Sequence, residues 1–345
     1  MGEGGGMNNM KDHNVKKTSR LMGLALLFAI ANTICPPPTT RAQPLTTFRI
    51  ANGTSGENPA ALWVGVEQGF FRKHGLNLEV IYMRTGPLAV SALASGDVQT
   101  VLTSSNAVLN IAAGGLDVAI IGNLINRPDG DFMARPEIKR PEELKGKYVA
   151  IQSIGGGGWA NNMLAMDHLG LDPERDKINF IVLGDQPSRI QALETNRAQG
   201  SWMGATFSAP LKKKGFTVLL DLARAPIPYV GTSLVIKRSA VRQDPGIYEA
   251  LLKGTIDAIR FFQKPENKLR SMQSIAKHLR LPRIEDAETG YHAMVSAYTS
   301  DLRPKPEGVK KIYTILARSN PKLQSLKPES ILDDALIQKI HASGY

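Results

Sequence analysis

Ala60-Ala61-Leu62-Trp63-Val64-Gly65-Val66-Glu67-Gln68-Gly69-Phe70-Phe71-Arg72-Lys73-His74-Gly75-Leu76-Asn77-Leu78-Glu79-Val80 is the stretch whose reading decides the fold. Its apolar spacing predicts an amphipathic helix that stops near Gly69, a turn, a second stop at Gly75 and then a strand. A short strand over Thr47–Ala51 and a polar loop precede it. Strand, loop, helix and strand in that order open a parallel α/β sheet.

Working outward, the same alternation continues. A strand over Asn77–Met83 leads to a helix near Pro87, where the missing N–H of proline falls in a first turn that has no use for it. A strand over Val98–Thr103, a helix opening at Ser104-Ser105-Asn106 and a strand over Leu116–Ile121 complete a first run. A second run starts beyond Pro141, with strands at Tyr148–Gln152 and Ile178–Leu183 and helices at Trp159–Leu169 and from Pro187. Residues 86–119 lie on 186–219 at an offset of 100: Pro87/Pro187, Ala92/Ala192, Leu93/Leu193, Gln99/Gln199, Gly115/Gly215 and Val118/Val218 coincide. The sequence therefore predicts two lobes on one plan. A strand over Tyr229–Lys237 returns the chain to the first lobe, and helices at Pro245–Gln263, Glu266–Leu279, Ile284–Ser300, Pro306–Ser319 and from Pro328 follow as a helical C-terminal tail. Lobe one is expected at 45–122 plus 228–345 and lobe two at 123–227, each a mainly parallel sheet flanked by helices.

The N-terminus is expected to be removed. Lys11, Lys16, Lys17 and Arg20 precede an apolar run from Leu21 to Ala31, too short to span a bilayer, and Thr40-Arg41-Ala42 suits cleavage after Ala42. Residues 1–42 thus read as a secretory signal peptide, with Met7 or Met10 as alternative starts. Cys35 is the single cysteine. Bulky Ile34 before it argues against a lipidated cysteine, and a mature chain without cysteine has no disulfide and no thiolate metal site. The mature chain of about 300 residues suits two lobes. The whole chain carries +11, and removing 1–42 takes five of its 42 Lys/Arg and two of its 31 Asp/Glu, leaving about +8. That is a solvated basic surface, with Lys212-Lys213-Lys214 at a helix C-terminus. No aromatic-interleaved basic stripe points to nucleic acid.

Ligands of open parallel sheets dock outside the carboxyl ends of the strands. Four loops there are polar or glycine-rich: Asn52-Gly53-Thr54-Ser55, Thr103-Ser104-Ser105-Asn106, Ser153–Trp159 and Gly184-Asp185-Gln186. The sharpest is Gly155-Gly156-Gly157-Gly158, which lets a backbone approach a ligand and aim free N–H groups at it. Trp159 either stacks on that ligand or turns into the core. The candidate contacts are Thr54, Ser55, Ser104, Ser105, Gly156, Gly157, Gly158, Trp159, Gln186, Trp202, Thr206 and Tyr229, with Trp202 balanced between core and ligand platform and the hydroxyls between capping and contact. Arg84 and Arg189 are the nearest cations for an acidic ligand.

The Ala61–Val80 stretch, Ala92-Leu93-Ala94-Ser95-Gly96-Asp97-Val98-Gln99, Leu144-Lys145-Gly146-Lys147-Tyr148-Val149-Ala150 and Gly170-Leu171-Asp172 together resemble the periplasmic solute-binding proteins for nitrate, sulfonates, taurine and bicarbonate, a group that includes binders of thiamine-pyrimidine precursors. The resemblance runs from about 48 to 265. It implies a two-lobed periplasmic-binding fold of the second type, a small-molecule ligand held by hinge closure, no cofactor, a monomer in the periplasm and delivery to an ABC transporter's membrane permease. Gln99 and Gln199 depart from the Asp common after each Gly-x-Val of the family, which puts the ligand class in question. The resemblance extends to fungal pyrimidine synthases with a cysteine-rich motif, which a cysteine-free mature chain does not satisfy. Other enzyme readings are thin. Gly53-Thr54-Ser55-Gly56 is no nucleophile elbow, and His74, His168, His278, His292 and His341 lack metal-ligand spacing. The rival is a dinucleotide-dependent enzyme: Gly155-x-Gly157-x-x-Ala160 follows a strand, and Asp185 ends the next one.

Overall fold

The computed structural model describes residues 1–2, 44–318 and 320–345. The expected leader, the cut after Ala42, Cys35 and the helix end at Ser319 lie outside the described residues. Residues Leu45–Tyr345 form one compact unit. Among the described residues no helix is long and apolar enough to cross a membrane.

Two five-stranded sheets carry the fold. The first contains β1 (Thr46–Asn52), β2 (Leu76–Tyr82), β3 (Thr100–Thr103), β4 (Val118–Asn123) and, from far along the chain, β10 (Ser233–Lys237), in the order β2-β1-β3-β10-β4. The second contains β5 (Asp131–Ala134), β6 (Tyr148–Ile151), β7 (Asn179–Val182), β8 (Gly200–Met203) and β9 (Thr217–Asp221), in the order β7-β6-β8-β5-β9. The orders superimpose strand for strand: β3 answers β8 and β4 answers β9 at the offset read from sequence. Each sheet has one strand inserted antiparallel. β10 runs against β3 and β4, and β5 against β8 and β9, so both sheets are mixed rather than wholly parallel.

The repeat extends to side chains. Helix α3 (Gly86–Ser95) is capped by Thr85, whose Oγ1 accepts from Leu88 N at 3.3 Å, and helix α6 (Gln186–Glu194) by Asp185, whose Oδ1 accepts from Ser188 N at 3.0 Å. Gln99 Oε1 accepts from Arg49 N at 2.8 Å and Gln199 Oε1 from Tyr148 N at 3.0 Å. Both glutamines therefore serve a strand end in the same way. The place where this chain departs from Asp thus serves sheet pairing.

Several elements differ from the sequence reading. Helix α1 (Ala60–Glu67) is not amphipathic: Ala60 through Gly65 are all buried, because the C-terminal helix α9 (Pro245–Gln263), which follows the short α8 (Arg238–Gln243), covers the face that water was expected to take. A Cβ on Gly65 would lie 2.6 Å from Phe71 and 2.9 Å from Ala258. A short helix α2 (Phe70–Lys73) occupies the expected turn. Strand β5 went unread because only four residues follow the Pro128-Asp129-Gly130 turn. The strand expected from Tyr229 begins at Ser233, and Gly231 N–H instead donates to Ile125 O at 2.9 Å, tying together the two segments that cross between the sheets. Helix α9 has the bounds read from sequence, whereas the next two expected helices each open with a 3-10 turn, at Pro265–Asn267 and Ile284–Ala287. Lys212 and Lys214 are not simply solvated, since they pair with Asp131 at 2.6 Å and Glu194 at 2.5 Å.

Gly130 sits at φ +71, and a Cβ there would meet Met203 O at 2.2 Å. Gly130→Ala should therefore lower stability by on the order of 2 kcal/mol or more. Urea unfolding measures this, and an unchanged midpoint would contradict the turn geometry.

Candidate functional site

The carboxyl ends of the central strands of both sheets meet around a cavity with ≈ 390 Å³ of space between atoms, part of it open to solvent. The loop after β1 gives it Gly53, Thr54, Ser55 and Asn58, and the end of β3 gives Thr103 and Ser104. The second sheet contributes Gln152 after β6, Trp202 on β8, and Gly157, Gly158 and Asn161 from helix α5 (Gly157–His168). The crossing segments supply Ile125, Arg127, Asp129, Tyr229, Gly231 and Thr232. No side chain caps the N-terminus of α5. Its first-turn N–H groups at Gly157 and Gly158 are thus available where they line the space.

The hydroxyls of the wall have fixed directions. Asn106, on helix α4 (Ser105–Ala113), donates through Nδ2 to Gly155 O at 2.6 Å and Gly156 O at 3.2 Å, so its Oδ1 is an acceptor. Ser104 Oγ at 2.6 Å and Tyr229 OH at 2.9 Å must then donate to it. Asn52 Oδ1 accepts from Thr54 N at 3.0 Å, which makes Thr54 Oγ1, at 2.7 Å, another donor to the protein itself.

Two carboxylates are buried here without an ion-pair partner among the described residues. Asp129 accepts from Asn161 Nδ2 at 3.0 Å through Oδ1, while Oδ2 has no partner. Burial, and after it the nearby Glu57 charge, push its carboxyl up to about 6. Glu57 follows β1 and is fully buried, which raises its pKa, while hydrogen bonds from the start of helix α7 (Ala205–Lys213) oppose the rise. Thr206 N donates to Glu57 Oε1 at 3.2 Å, so a carboxylate from the first sheet caps a helix of the second.

Of the expected contacts, Thr54, Ser55, Ser104, Gly157, Gly158, Trp202 and Tyr229 line the cavity. Ser105, Gly156, Trp159, Gln186 and Thr206 do not. Trp159 is packed in the apolar core, the second of the two roles open to it. Gln186 and Thr206 gather instead around Glu57, with Gln186 Oε1 accepting from Gly204 N at 2.7 Å. Gly156 offers its carbonyl to Asn106, and Ser105 N–H donates to Val230 O at 3.2 Å. Arg189 is buried behind Trp202, donating to Trp202 O at 2.7 Å, and desolvation lowers its pKa to about 10. Arg84 meets the second sheet through its carbonyl, which accepts from Gln152 Nε2 at 2.8 Å. Sequence reasoning missed Asn58, Arg127, Asp129, Gln152 and Asn161. Asn161 had a signal, lying three residues beyond Gly158 on the same helix face, whereas Asp129 was indistinguishable from a turn residue.

A raised carboxyl makes the folded state bind the Asp129 proton more tightly than the unfolded chain does. The ligand-free protein should therefore lose stability as pH rises from about 4 through 6. Asp129→Asn should raise Tm at pH 7.5 and leave it nearly unchanged at pH 4. Scanning calorimetry at both pH values checks this, and an equal shift at both would contradict the assignment.

Comparisons place the fold. A protein of Bordetella bronchiseptica RB50 superimposes with TM-score 0.74 at 16% identity over 86% of this chain and 98% of its own. The alkanesulfonate-binding protein SsuA of Xanthomonas axonopodis pv. citri, bound to MOPS, gives 0.68 at 15% identity over 85% and 99%. The periplasmic nitrate-binding protein NrtA of Synechocystis PCC 6803 gives 0.69 at 15% over 87% and 89%. The neighbours also include a mutant of DszB in complex with biphenyl-2-sulfinic acid, at 0.59 and 16% identity. No curated protein matches the sequence. The family description NMT1/THI5 like matches residues 57–268, which hold most of both sheets and nearly all of the cavity wall, and the chain belongs to that family.

Proposed function

We propose that this chain is an exported solute-binding protein that captures a small organic solute between two lobes, 45–122 plus 228–345 and 123–227, and hands it to the membrane permease of an ABC importer. Membership of the family and likeness to sulfonate- and nitrate-binding folds support a ligand-binding role in transport. The observation that carries the finer reading is the division of the wall. The two sheets supply about a third of it each, and the rest comes from the two adjacent segments, 124–130 and 222–232, that connect the sheets among the described residues.

Such a connection suits a hinge. Polar contacts between the lobes would then hold the closed form: Asn106 to the carbonyls of Gly155 and Gly156, Gln152 to that of Arg84, Glu57 to the amide of Thr206, and Lys311 and Arg318 to Asp167. Opening exposes every one of these groups to water, so the contacts add little without a guest. A bound solute supplies the difference, which is how its binding energy becomes a conformational signal. The working form is a monomer in the periplasm, and it transforms nothing. Asp185, the acid that a dinucleotide reading needs, is occupied in capping α6, and residues 44–345 contain no cysteine to serve as a thiol nucleophile.

Asn106→Ala should weaken solute binding by about tenfold or more through lost closure. Small-angle scattering of the wild type should show a smaller radius of gyration with solute than without. A solute that binds with no change in scattering, and equally well to the alanine variant, would overturn the hinge reading.

A further inference from the structure

The unsatisfied polar atoms around the cavity share one character. Asp129 Oδ2, Asn161 Oδ1 and Gln152 Oε1 are all without a partner, on residues that are 6%, 4% and 1% exposed. The amide orientations are fixed by their other ends, since Asn161 Nδ2 donates to Asp129 and Gln152 Nε2 to Arg84 O. Each therefore presents an oxygen. Thr54, Ser104 and Tyr229 have committed their single protons to Asn52 and Asn106, so their oxygens can only accept from a guest. The wall is a cluster of acceptors that includes a carboxylate.

Arg127 is the one cation among the lining residues, and its guanidinium is engaged at Ser296, where Nη2 meets both the carbonyl and the hydroxyl. Leaving a buried acceptor without a partner is costly, and more so for a charged one. Three in one small cavity call for a partner rich in N–H.

We propose that the solute is recognised through an amino or amidinium group seated against Asp129, Asn161 and Gln152, and that an oxoanion head is excluded from that end. This rests on the solute-binding reading and adds the ligand's chemistry to it. The amides of Gly157 and Gly158, in the first turn of the helix that carries Asn161, take an acceptor atom elsewhere on the same molecule. An oxoanion placed at the Asp129 end would face a carboxylate and two neutral oxygens.

Matched ions of opposite character test this. Acetamidinium against acetate, and guanidinium at low millimolar concentration against nitrate, compare the same planar shapes with donors and acceptors exchanged. Acetamidinium and guanidinium should bind the purified mature protein by calorimetry and thermal shift, with acetate and nitrate silent. Asp129→Asn should weaken the cations by about tenfold or more. Gln152→Met, a gentler variant, should weaken them several-fold without changing the circular dichroism spectrum. Binding of nitrate or acetate but not of the cations would overturn the proposal and leave the solute-binding reading standing. Cation binding that survives both substitutions would overturn the placement. If no ion of either kind binds, and scattering shows no closure with any solute retained from expression, both readings fail.

Discussion

The carboxamide of Asn106 holds the site together. It is fully buried, donates across the gap to two carbonyls of the glycine run, and accepts the protons of Ser104 and Tyr229. One side chain thereby joins the first sheet, the glycine loop of the second and the segment that returns between them. It also decides the polarity of the cavity. Because the amide oxygen takes two hydroxyl protons, both hydroxyls are left as acceptors toward anything else. A hydrophobic residue at 106 would leave those hydroxyls free to rotate and the cavity without a defined character.

The sheets give this interaction its frame. Burial of α1 under α9 fixes the loop that carries Thr54, Ser55, Glu57 and Asn58, and Tyr298 from the C-terminal region locks it further by accepting from Ala61 N at 3.0 Å and donating to Asn58 O at 3.0 Å. The tail thus does more than cover a lobe. Glu57 is an exposed-looking residue in sequence, yet it is wholly buried as a cap for a helix on the other side of the cleft. A buried carboxylate of that kind is favourable only while the helix end is present.

Much of the architecture was legible because it repeats. Proline and cap residues at Thr85 and Asp185, and the alternation of short apolar runs with helices, defined the order of elements. The offset of 100 exposed the internal symmetry that the two sheets display. What escaped were features made by distant contacts. The all-round burial of α1 depends on a helix some 185 residues further on, and β5 is too short to show a period. At the site, glycines and hydroxyls stood out by type, while Asp129, Gln152 and Asn161 did not: nothing local says that a turn aspartate and two amides will converge. Trp159 is the converse case: its place after the glycine run left contact and core both open, and its side chain packs inward.

The most direct measurement is an X-ray structure of the mature protein purified without refolding, with whatever solute it retains. The account predicts density between Asp129 and Gly157, with a nitrogen of the solute within hydrogen-bond reach of Asp129 Oδ2. Solute seated anywhere other than between the two sheets, or an anionic oxygen turned toward Asp129, would contradict it.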